Sequence, residues 1–180
     1  MTDIEASVLL PHLIEKASAA KGRFRDKLQE LVKLIAEEKL YPPQKLGLLV
    51  CIPIIERSGH AKARALATRE LLTCLGNSGL SAIGKRGIQI IAKSFSDENL
   101  PENKTALLDL IMLIVNKMNG DIHKYAKVCG TSNLSDKAKS LVEERWAKNN
   151  KANPSSLQES ESRRPSTGQS RPRSTSRSRG

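Results

Sequence analysis

The chain is poor in aromatic residues, with two Tyr, two Phe and one Trp in 180 positions. So few rings leave core packing to Leu, Ile, Val and Ala. The β-branched and aromatic clusters that favour strands are scarce, while good helix formers run in long stretches, which points to an all-α chain. Cysteine is scarce too. Cys51, Cys74 and Cys129 are widely spaced with no CxxC pair, so buried free thiols in a reducing compartment are expected. No apolar run approaches the ~20 residues of a membrane span, and MTDIEAS lacks the basic and apolar regions of a signal peptide. A soluble intracellular protein that does not engage membranes is the expectation. His12, His60 and His123 have no metal-ligand spacing with one another or with the cysteines. His12, in an apolar helix, is expected to be structural. A Gly-rich phosphate loop, a nucleophile elbow and paired buried carboxylates are also missing. The chain offers no catalytic chemistry, and no cofactor is expected.

Positive charge is abundant. Thirty Lys and Arg against nineteen Asp and Glu give a net charge of +11, of which the last thirty residues carry +5 and the first 150 carry +6. Both parts therefore favour an acidic partner: nucleic acid, an anionic membrane surface or an acidic protein surface. From Lys151 onward Ser, Arg and Pro dominate, and Leu157 is the single large aliphatic residue. Such a segment cannot bury enough surface to offset chain entropy, so 150–180 is expected to be a disordered basic tail. Its Arg171, Arg173, Arg177 and Arg179 would grip an acidic lattice through many weak, salt-sensitive contacts.

Residues 1–149 are expected to fold as helices in series. Thr2-Asp3 can cap a helix to about Ala17 that contains Pro11, and a second helix runs from about Gly22 to Glu38. After the break at Tyr41-Pro42-Pro43 comes LGLLVCIPIIER, apolar nearly all round and expected to be buried between neighbours. Ala61 to Leu75, Leu80 to Phe95 and Thr105 to Met118 follow. Asn119-Gly120 then closes the last of these, and two shorter helices span Asp121 to Cys129 and Ser135 to Asn149. Trp146 is expected to pack down on the neighbour of that last helix.

Arg25 and Arg64 are 39 residues apart, Glu15-Lys16 and Glu56-Arg57 are 41 apart, and Pro11 and Pro53 are 42 apart. A period near 40 suggests HEAT-type helix pairs, which run roughly 40–47 residues and stack into an α-solenoid. In such a stack the turn inside each pair lies on one edge. Here those turns are 18–25, 58–64 and 96–104. They carry Lys21, Arg23 and Arg25, then His60, Lys62 and Arg64, then Lys104 beside Asn99 and Asn103. A helix start prefers Asp or Glu because its dipole end is positive, so cations there run against the structural preference and favour a binding role. The ordinary alternative is that they are solvated, or that Arg25 and Arg64 brace neighbouring layers.

At these turns the chain resembles TOG domains, most of all the fourth TOG domain of the microtubule-polymerase family that includes the colonic-and-hepatic TOG protein. The family turn S-K-N-S-K-Q-R is similar to Ser58-Gly59-His60-Ala61-Lys62-Ala63-Arg64, and P-K-x-x-x-R is similar to Ala20-Lys21-Gly22-Arg23-Phe24-Arg25. The closing pattern, H-G-D followed by L-S-x-K and L-E-E-R, resembles Asn119-Gly120-Asp121, Leu134-Ser135-Asp136-Lys137 and Val142-Glu143-Glu144-Arg145. The resemblance covers about residues 5 to 148, the later part of such a domain, and by this reading the chain begins mid-domain. It implies a flat paddle whose turns bind the αβ-tubulin heterodimer or the microtubule lattice. Lys21, Lys62 and Lys104 would carry the contact, with Arg25 and Arg64 nearer the scaffold. It further implies a cytoplasmic, cytoskeletal location on microtubules, spindle or centrosome. The tail would add contacts to acidic tubulin tails. The alternative is an RNA-associated helical-repeat adaptor with an arginine-serine tail, against which the small number of aromatic stacking residues counts.

Overall fold

A computed structural model describes residues 1–37, 40–57, 59–130 and 132–152, and every structural statement below concerns these. The expected tail from residue 153 onward lies outside them, as does Ser58 of the second turn. The described chain is all-α. Helices α1 (Asp3–Ala19) and α2 (Gly22–Glu37) form the first pair. The second pair begins with α3 (Pro43–Leu46), passes through a π-helical turn, Gly47–Cys51, into α4 (Ile52–Arg57), and ends with α5 (Ala61–Ser78). A 3₁₀ turn, Gly79–Ala82, leads to α6 (Gly84–Asp97) and α7 (Pro101–Lys117). The last pair is α8 (Ile122–Cys129) and α9 (Asp136–Ala152).

The pairs stack in two layers. In one, α1 meets the π turn, α4 meets α6 and α6 meets α8; in the other, α5 meets α7 and α7 meets α9, with α2 packing only lightly on α5. Such nearest-neighbour stacking is the solenoid arrangement. The core between the layers is mainly aliphatic, with Ile14, Leu71, Leu75, Ile91, Leu110 and Ile114 fully buried, but three of the few aromatic residues, Tyr41, Phe95 and Tyr125, are fully buried in it too. Trp146 packs against its edge. Several of the bonds that tie successive pairs together span about one repeat. Tyr41 donates to Asp3 across 38 residues, Gln89 to the Val128 carbonyl across 39, Lys117 to the Gly76 carbonyl across 41 and Asn103 to the Ala61 carbonyl across 42.

Several local details differ from the sequence expectation. Pro101 starts α7 four residues before Thr105, because Pro at the first helical position needs no hydrogen bond and already has the right φ. The third turn therefore shrinks to 98–100. The segment expected as one helix from Leu80 is a 3₁₀ turn and then α6. In the second pair the Ile52 N–H reaches back to the Gly47 carbonyl, one residue further than in an α-helix, and Pro53 follows directly. Pro53 cannot donate a backbone bond, so a wide turn just before it lets the helix pass without a break. Leu48 and Leu49 in this stretch remain exposed, so the segment is not buried all round. His12 is likewise exposed, beside the exposed apolar residues Ile4, Val8 and Leu9 of α1.

Candidate basic edge

The turn between α1 and α2 consists of Ala20 and Lys21, and the turn between α4 and α5 ends in Gly59 and His60. The two turns meet. A concavity of about 320 Å³ is lined by Glu15, Lys16, Ser18 and Ala19 from the end of α1 and by His60, Ala61 and Lys62 from the start of α5. Lys21 and Lys62 are both exposed, and neither has an ion-pair partner among the described residues. Arg23 is exposed on the first turn of α2. Arg25 is exposed and pairs with its own neighbour Asp26 at 3.0 Å, so it does not brace the next layer.

The backbone adds to this positive charge. The first turns of α2 and α5 contain no acidic residue, and the His60 side chain makes no capping bond to the start of α5. By contrast, α1 begins with a capping box, in which Thr2 accepts from the Glu5 amide and Glu5 accepts from the Thr2 amide. Asp121 caps α8 by accepting from the Lys124 amide at 2.8 Å. Neither α2 nor α5 thus carries an acid in its own first turn to offset its positive dipole end, on the same edge as Lys21 and Lys62.

The second turn also contains a structural joint. Arg64 donates through Nε and Nη2 to Glu98 Oε2 at 3.2 and 2.9 Å. The same carboxylate accepts from Asn103 Nδ2 at 3.2 Å and from the amides of Asn99 and Leu100 at 3.0 Å each. Burial alone would raise the Glu98 pKa, but the Leu100 amide, Arg64 and Asn103 together hold it below the ordinary glutamate value. Arg64 thus fixes the third turn to the second pair.

Lys104 is used in the same joint. Its Nζ donates to the Glu98 carbonyl at 3.2 Å and sits 5.4 Å from the centre of the Phe95 ring, a cation–π contact. The third turn therefore presents Asp97 and Glu102 to solvent rather than a free cation. Of the seven residues expected on the edge, the structure gathers Lys21, Arg23, Arg25, His60 and Lys62 on two adjacent turns. Arg64 and Lys104 are held in the joint.

One cation on this side was not expected. Arg69 lies seven residues after Lys62, on the same face of α5, and is exposed. The i, i+7 spacing was its only signal in the sequence. Comparison of the chain with protein-family models, curated proteins and solved structures finds no match. Among the described residues no helix is long and apolar enough to cross a membrane.

Proposed function

We propose that this chain is a non-catalytic tubulin- and microtubule-binding protein, acting in microtubule growth and spindle organisation. Its basic turns would engage the acidic surface of the αβ-tubulin heterodimer or of the lattice, and it would then act on the cytoskeleton. The observation that supports this reading is the pairing of Lys21 and Lys62, exposed on adjacent turns and backed by two helix starts that carry no acid. Arg23 and His60 flank them. Each exposed ionic contact contributes at most about 1 kcal/mol, so useful affinity needs the turns to act together and with the basic tail.

Co-sedimentation of the full chain with stabilised microtubules, at low and moderate salt, tests the proposal. Wild-type protein should pellet in a salt-sensitive way, and Lys21→Glu with Lys62→Glu should weaken pelleting by about ten-fold or more. Pelleting that survives the double reversal would remove the turns from the interface.

A further inference from the structure

A groove of about 540 Å³ leaves the basic edge and runs between α2 and α5. Lys21, Arg25 and Gln29 line one wall, and Lys62 and Arg69 line the other, with Leu66 at the base. Its cations are available. Lys21, Lys62 and Arg69 have no ion-pair partner among the described residues, and Arg25 is held only by adjacent Asp26 with half of its side chain in water. An exposed pair of that kind opens at little cost. The single acid lining the groove is Glu102.

We infer that this groove binds a short, extended acidic peptide segment with carboxylates at alternate positions. The length of the groove supports the register. From Lys62 to Arg69 is seven residues of helix, about 10 Å at 1.5 Å per residue. An extended peptide rises about 3.3 Å per residue, so three or four residues fill that length. Side chains two positions apart point the same way and stand ~7 Å apart, which lets one carboxylate face Lys21 and Lys62 near the edge and the next face Arg25 and Arg69 further in. Gln29, one turn beyond Arg25, can donate to and accept from the peptide backbone past the second carboxylate. A nucleic-acid strand fits less well: no aromatic residue lines the groove for base stacking, and a longer polyanion would meet Glu102. This inference deepens the proposed function by naming the kind of partner segment that the same edge would take.

The test uses the full chain and fluorescence anisotropy with a labelled hexapeptide of alternating Glu and Ala, its Gln counterpart and a short oligouridine. Arg69→Glu is the probe, since Arg69 is exposed and belongs to the groove but not to the turns; circular dichroism confirms that the variant folds. The Glu peptide should bind more tightly than the Gln peptide, and Arg69→Glu should weaken it about ten-fold and weaken microtubule pelleting with it. Equal binding of the Glu peptide to wild type and to Arg69→Glu would overturn the inference, because the contact would then lie elsewhere on the chain. Binding of oligouridine but not of the peptide would overturn it in favour of nucleic acid. Peptide binding without any wild-type pelleting would keep the groove and remove the microtubule reading. Pelleting without peptide binding would do the reverse.

Discussion

Replacing Arg64 by Ala distinguishes a brace from a binding residue. Arg64 and Glu98 meet at 2.9 Å, with side chains 23 % and 6 % exposed. Exposed ion pairs contribute about 0–1 kcal/mol, whereas breaking a fully buried pair from one side costs about 3–5 kcal/mol. This pair lies between those limits. Glu98 would keep Asn103 and two backbone amides, which solvate part of the stranded charge. The expected loss is therefore about 2 kcal/mol, which in a chain of this size is a fall in Tm of roughly 4–8 °C. Urea unfolding followed by circular dichroism at neutral pH should show a lower midpoint with an unchanged slope. Arg64→Lys should fall between wild type and Ala, because one ammonium cannot reproduce the Nε and Nη2 contacts. A double-mutant cycle with Glu98→Gln should give a coupling of about 1 kcal/mol or more. A loss below about 0.5 kcal/mol for Arg64→Ala would match an ordinary surface substitution. That result would refute the brace and return Arg64 to the set of free edge cations.

Acid sensitivity should follow from the same joint. The folded-state pKa of Glu98 is lowered, so its contribution is complete above the unfolded glutamate value and is lost as pH falls through the lower folded value. Glu98→Gln should be less stable at neutral pH and should show a shallower acid-unfolding curve below the ordinary glutamate range. Gly47→Ala should destabilise by about 1–3 kcal/mol in the same urea assay, since its Cβ would stand 2.3 Å from the Ala82 backbone oxygen. An unchanged midpoint would mean that the π turn can shift freely. In thiol titration under native conditions Cys51, Cys74 and Cys129 should all be unreactive, and all three should react in urea. Each is buried, and burial, helped by Glu70, pushes the Cys74 thiol up to about 12.

The repeat was legible in the sequence because it is a property of spacing. The shifts of 39 to 42 residues between similar residues reappear as the separations of the bonds joining one pair to the next. The exposed cations at Lys21 and Lys62 were legible too, because cations at a helix start have no local structural reason. The joint was not. Glu98 lies in a polar run, SDENLPEN, that reads as a solvated turn, and its main partner Arg64 comes 34 residues earlier. Nothing in either stretch says that the two meet, or that Lys104 would turn inward over Phe95. The π turn was hidden for a different reason. An added residue in a helix shifts an apolar pattern, but Gly47–Cys51 is apolar on every side and leaves no pattern to shift.

The first pair has a thermodynamic consequence for whatever the edge binds. Helix α2 rests mainly on α1 and only lightly on α5, and it leaves Phe24, Leu31 and Leu34 exposed. Few apolar contacts mark the segments of a fold that open most cheaply. Yet α2 carries one wall of the groove, and α5 carries the other. The site thus straddles a lightly packed helix–helix seam. A ligand spanning both walls binds only while the seam is shut, so by mass action it shifts α2 toward the docked state. Part of its binding free energy is spent closing that seam, and its affinity is lower than a rigid groove would give by the fraction of molecules in which α2 is already docked.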